Sequence, residues 1–265
     1  MDKIREIIKK EWSEVFKNRL VLGSVILMPL VFTIMPLVIL NGMQGGAGDL
    51  EMAEMASDMP EQFTLMCEGL SSAVCGQYFI LLQFLSLFLL MPVMIPVTIA
   101  SYSIVGEKNT RTLEPVLATP ITTLELLLGK ALAGVIPALS ITWFTYGVFV
   151  VGTYFIADDK ALAGAVMDPI WLIAIFGISA LLSVAGVSLS IMISSRVNDP
   201  RAAEQLSSLV VIPLLAVFMG QSFGFIQFDI TLVVWATFGM LVLDIVLMYF
   251  AIQLFQRETI LTRWK

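Results

Sequence analysis

Six long runs without charged side chains constrain this chain more than anything else in its sequence. Between flanking charges they cover residues 20–48, 69–106, 131–157, 169–195, 205–228 and 230–256, the last interrupted only by Asp244. A helix needs about 20 apolar residues to cross the hydrocarbon core of a bilayer, and each run is too long for an ordinary core helix. Trimming polar ends places spans near 20–41, 78–104, 131–156, 169–193, 206–226 and 231–255. The expected fold is an all-α polytopic membrane protein, one transmembrane domain over residues 1–265.

Composition closes off the alternatives. Charged residues make up 14 % of the chain and hydrophobic ones 58 %, against roughly 25 % charged in a soluble domain, which rules out a soluble enzyme or a nucleic-acid binder. There is no histidine, and the two cysteines are Cys67 and Cys75. Histidine-ligated haem, His-based triads, zinc-peptidase motifs and cysteine-rich zinc sites are therefore excluded.

Lys and Arg are retained on the cytoplasmic side of a membrane, and an even number of spans puts both termini on one side. With six spans, 14 of the 15 basic residues share the side of the termini, and only Lys160 lies opposite. The opposite segments carry ten acids, six of them within residues 49–68. The expected location is the cytoplasmic membrane with both termini inside, residues 1–19 cytoplasmic, 42–77 an acidic extracellular segment and 105–130 a cytoplasmic loop. The first apolar run has no short h-region followed by a small-residue cleavage site, so no cleavable signal peptide is expected.

Ahead of the first span, Ile4, Ile7, Ile8, Trp12, Val15 and Phe16 recur at helical spacing, with Lys3, Lys9, Lys10, Glu14 and Lys17 on the other side. The pattern reads as a helix lying in the inner interface, its bases toward anionic headgroups and Trp12 at the boundary. A globular helix packed on a partner would use the same stripe.

The stretch from Gly106 to Lys130 is the most informative polar segment. Leu113, Val116 and Leu117 make an i, i+3, i+4 apolar face on a short helix that Thr119-Pro120 ends. Thr122 and Glu125 then have capping-box spacing, which starts the third span with its first amides satisfied. A short amphipathic helix between two spans needs something to dock against.

Here the sequence resembles permease subunits of the ABC-2 type in ABC transporters. The likeness is carried by Glu107 with Arg111-Thr112-Leu113-Glu114-Pro115, by Leu117-Ala118-Thr119-Pro120-Ile121 and by Glu125-Leu126-Leu127-Leu128-Gly129-Lys130. Ser194-Ser195-Arg196 and Ala202-Ala203-Glu204-Gln205-Leu206-Ser207 extend it into the fifth span, so that it covers essentially the whole chain. The resemblance implies that the helix around Thr110 to Ala118 is a coupling helix seated on a separate ATP-binding subunit, with Glu107, Thr110, Arg111, Leu113, Glu114, Val116 and Leu117 as the coupling residues. It also implies two such subunits, a second permease copy or paralogue, and cargo crossing between the copies along their second and fifth spans. No cofactor is expected in this chain. It carries no Gly-x-x-x-x-Gly-Lys-Ser/Thr phosphate loop, so ATP and Mg would be held by the partner. Other than the partner subunits, lipid is the expected neighbour, and nucleic acid is not.

Several residues bear on the transport path. Asp244 lies near the middle of the sixth span, where a charged Asp costs about 2.5–3.5 kcal/mol. That cost points to a hydrogen-bonded or protonated Asp between helices or to a water-filled path, and the second option leaves open an ATP-independent secondary transporter or channel. Pro29, Pro36, Pro92, Pro96, Pro137 and Pro213 each remove an internal hydrogen bond and favour kinks, with Pro92, Pro96 and Pro213 the candidates for the path. Trp143, deep in the third span, needs a partner for its indole N–H.

Other patterns point to packing. Ser179, Ser183, Gly186, Ser190 and Ser194 form a small-residue stripe on the fourth span, and Gly220 and Gly224 form a lone Gly-x-x-x-Gly, a slight signal for a helix dimer in the membrane. Met52, Met55, Met59, Phe63 and Met66 repeat beside acids, which reads as adaptable packing more than a soft-metal site. A bond between Cys67 and Cys75 is open: oxidation is permitted outside and Gly69 can turn the chain back, yet on one continuous helix the pair would sit about 12 Å apart.

Overall fold

The computed structural model describes residues 2–43, 71–110, 121–157 and 159–254. Among them every regular element is helical, and six helical segments are long and apolar enough to cross a membrane. Helix α1 (Asp2–Val15) precedes the first span, α2 (Arg19–Gly42). The second span is broken into α3 (Ser72–Phe88) and α4 (Met91–Asn109), and the third is the single helix α5 (Thr123–Ile156). Two short helices, α6 (Lys160–Val166) and α7 (Pro169–Ile173), lead through a π turn at Ala174–Ile178 into α8 (Ser179–Ser194), the fourth span. The fifth is α9 (Pro200–Ser207), a 3-10 turn at Ser208–Val210 and α10 (Val211–Ser222), and the sixth is α11 (Ile230–Leu254).

The spans differ from their expected limits for local reasons. α5 begins at Thr123, ahead of the apolar run at residue 131, because the expected Thr122–Glu125 capping box is formed, each end accepting the other's backbone N–H. The fifth span starts early because the Asp199 carboxylate caps it and Pro200 takes a first-turn position that needs no N–H. It ends at Ser222 because Gly224, at φ 75°, closes a Schellman turn: Phe225 N–H bonds the Gly220 carbonyl at 2.7 Å and Gly224 N–H bonds Gln221 at 2.9 Å. Ile226 then lies directly over Gly220, where a Cβ would meet it at 2.6 Å. Gly220 and Gly224 are thus a helix stop and not the membrane-dimer motif their spacing suggests.

Two prolines act differently from the kink expectation. Pro92 stands in the first turn of α4, just past the break at Leu89–Leu90, and Pro213 follows the 3-10 turn at the start of α10. Both mark the start of a new helix, where the missing N–H costs nothing. Pro96 is inside α4 and packs beside Gly134 of α5.

The second and fourth spans form the buried axis, and the first, fifth and sixth are largely exposed. The small-residue stripe explains the axis. Gly186 of α8 lets α4 approach until a Cβ there would sit 3.1 Å from the Val93 carbonyl, and Ser190 Oγ meets Ser101 Oγ at 2.9 Å and Val97 O at 3.2 Å.

Candidate functional site

The polar features concentrate where α4 ends and α5 begins, on either side of residues 111–120. Lys130 Nζ of α5 contacts Glu11 Oε1 of α1 at 2.6 Å, Glu107 Oε2 of α4 at 2.8 Å and Ser103 Oγ at 2.7 Å. Lys10 of α1 donates to the other oxygen of Glu107 and lies 3.8 Å from Glu14. The side chains of Lys130, Glu11 and Glu107 are 2 %, 2 % and 4 % exposed. Two buried acids face two bases, so the cluster is balanced in charge, the condition under which buried ions are tolerated.

The half-exposed Lys10 reports the field of this cluster. Partial burial pulls its ammonium pKa down, but the hydrogen bond to Glu107 and the charges of Glu107, Glu14 and Glu11 outweigh that and hold it above its ordinary value.

Helix α1 is held against α5 by more than charge. Ile7, Glu11 and Val15 form an i, i+4, i+8 buried stripe, and Gly129 admits Ile7 so closely that a Cβ would meet it at 2.7 Å. Trp12 Nε1 donates to the Ala133 carbonyl at 3.0 Å. That carbonyl is free because Pro137, four residues on, has no N–H to give it. Trp12 is therefore also a bond to the third span. Ile4, Ile8, Trp12 and Phe16 line an open groove between α1 and Leu132 of α5.

This contact is testable. Trp12→Phe leaves a buried carbonyl without a donor and is expected to cost about 1–3 kcal/mol. Trp12→Phe with Pro137→Ala restores an N–H to that carbonyl and is expected to recover most of the loss in detergent unfolding. A double variant no more stable than the single one would refute the link.

The segment between α8 and α9 also rests on α4. Lys108 Nζ reaches the carbonyls of Ser195 and Val197, both at 3.4 Å, and Glu204 Oε1 accepts from Thr98 Oγ1 at 2.8 Å. Thr110 closes α4 by donating its hydroxyl to Gly106 O at 2.9 Å. Of the residues that the sequence put forward for coupling, Glu107 and Thr110 lie here, while Arg111, Leu113, Glu114, Val116 and Leu117 are outside the described residues.

The residues proposed for the path do not come together at this end. Asp244 is 7 % exposed on α11, which packs on α8, and neither carboxylate oxygen has a hydrogen-bond partner among the described residues. Trp143 Nε1 donates to the Ile175 carbonyl at 3.1 Å, inside the π turn where the hydrogen-bond ladder is irregular. Cys75 is buried and disulfide-bonded. The only other cysteine of the chain, Cys67, lies outside the described residues, as does the methionine stripe.

Sequence reasoning missed Glu11 and Lys130 as site residues. The signal was there: Glu11 interrupts the apolar stripe of α1 between Ile7 and Val15. Among the described residues no group of three or more His, Cys, Asp or Glu is placed to hold a metal ion.

The profile of the family described as ABC-2 family transporter protein matches residues 5–231 of this chain. No curated protein matches it.

Proposed function

The chain belongs to the ABC-2 transporter family, and on that footing we propose that it is the permease subunit of an ATP-driven exporter, with both termini in the cytoplasm. Two copies of a separate ATP-binding subunit hold ATP and Mg, and a second permease copy or paralogue completes the path. The observation that carries this reading is the buried cluster of Lys130, Glu107, Glu11 and Lys10. It ties α1 to both helices that flank residues 111–120, so a push delivered there enters a rigid three-helix unit instead of bending one loop. α4 then transmits the displacement to α8 through the close Gly186 and Ser190 seam, as sliding of packed helices.

The test is purification from native membranes. A stoichiometric ATP-binding subunit is expected with the wild-type chain and is expected to be lost from a variant carrying Arg111→Glu and Glu114→Arg, while the variant still inserts and folds. Transport by the purified chain alone, with no ATPase present, would defeat the proposal.

One observation favours a second reading, an ATP-independent secondary transporter: a membrane-buried Asp244 with no partner for either oxygen among the described residues. Under the ATP-driven reading Asp244→Asn keeps transport and leaves the assembled protein at least as stable, because an amide is cheaper to bury than a lone carboxylate. Abolished transport in a folded, assembled Asp244→Asn protein moves the choice to the second reading.

A further inference from the structure

At the end of the bundle opposite the ion cluster, a cavity of about 310 Å³ lies between the start of α3, the turn from α6 into α7, and the segment after α10. The Schellman turn at Gly224 builds one wall by folding Ile226, Gln227 and Phe228 back over the helix end. Phe228 and Trp171 stand with ring centroids 5.0 Å apart and planes inclined by 42°. Tyr78 adds a third ring to the lining, and Asp168 supplies its one carboxylate. Asp168 Oδ1 accepts the Ile170 N–H at 2.8 Å, which fixes the carboxylate at the cavity wall. No Lys or Arg forms an ion pair with it among the described residues.

We propose that this cavity binds an alkylammonium group, carried either by a small organic cation or by a lipid headgroup. Aromatic faces attract cations through their quadrupole, and the attraction is strongest for soft, weakly hydrated ones such as alkylated ammonium. The carboxylate adds the full opposite charge. A neutral apolar ligand would leave Asp168 facing it unpaired, an anion would be repelled, and a small metal cation would find a single carboxylate in the lining. The volume lies at the lower end for ligand cavities, which suits a headgroup-sized ligand over a drug-sized one. The inference stands on this cavity and does not depend on how transport is powered.

The probe is choline, titrated calorimetrically into the purified chain in detergent at constant ionic strength. Saturable binding is expected, with no competition from sodium. The neutral tert-butyl isostere of choline is expected to bind at least about tenfold more weakly, a comparison that needs no variant. Asp168→Asn retains a side chain able to cap α7 and is expected to weaken choline by roughly tenfold or more, and Phe228→Leu by several-fold. Nanodiscs separate the sources. Choline binding suppressed in phosphatidylcholine relative to phosphatidylglycerol identifies a lipid headgroup, and equal binding in both identifies a free cation. The proposal is overturned if the folded wild type shows no saturable binding, if the neutral isostere binds as well as choline, or if folded Asp168→Asn binds as the wild type does.

Discussion

Replacing Lys130 with methionine is expected to damage this protein more than any other single substitution. Its ammonium is the shared partner of Glu11 at 2.6 Å and Glu107 at 2.8 Å, and both carboxylates are nearly inaccessible to water. Without it Glu11 faces the interior with no ion-pair partner among the described residues, and Glu107 loses one of the two lysines that contact it. Breaking a buried pair by removing one partner typically costs about 3–5 kcal/mol, because the remaining charge must stay desolvated. The measurement is thermal unfolding in detergent, with transport measured alongside.

A compensated variant distinguishes stability from coupling. Glu11→Gln, Glu107→Gln and Lys130→Met together remove all three buried charges. This variant is expected to recover much of the stability, since uncharged replacements of buried ion clusters are often neutral or better. If the cluster transmits force, transport stays low even when the protein is stable. Lys130→Met protein that unfolds at the wild-type temperature would contradict the geometry, and a stable triple variant with full transport would remove the cluster from the coupling route.

The second large effect is expected at the seam of the second and fourth spans. At Gly186 a single added carbon already lies 3.1 Å from the Val93 carbonyl and 3.4 Å from Val97 Cγ2. The carbonyl belongs to the backbone and cannot rotate away. Gly186→Leu forces α8 off α4 at the cost of overpacking, about 1–3 kcal/mol, and pulls Ser190 from Ser101 one turn further on. Gly186→Ala is expected to be milder, requiring a shift of a few tenths of an ångström. Gly147→Leu on α5 serves as the control, since nothing lies within 4 Å of a Cβ built there. Equal stability of the Gly186→Leu and Gly147→Leu proteins would show that the close approach contributes nothing.

The sequence was legible wherever the physics is local. The capping box at Thr122 and Glu125 is formed as its spacing foretold, because both bonds close within one helical turn. The serine and glycine stripe of the fourth span announced a close helix contact, and its partner turned out to be α4. Legibility ends where a short pattern has two physical meanings. Gly220 and Gly224 have the spacing of a membrane-dimer motif, yet the second falls just beyond the helix and closes it. Trp12 has the place of a boundary residue, and that pattern does not announce that a carbonyl vacated by Pro137 on another helix takes its N–H.

What the sequence alone determined is the set of membrane-crossing helices. Apolar length decides it, because a backbone in lipid must satisfy its own hydrogen bonds and a run of some twenty apolar residues does so as a helix regardless of its neighbours. What only the tertiary structure decided is which charges meet. Lys10 and Glu107 are 97 residues apart in the chain, and Lys130 and Glu11 are 119 apart. Hydropathy places each of them near a span end but is blind to direction around the helix axis. Only the docking of α1 against α4 and α5 brings four scattered helix charges into one cluster, three of them nearly inaccessible to water, and with it gives the protein a rigid root on both sides of the segment proposed for coupling.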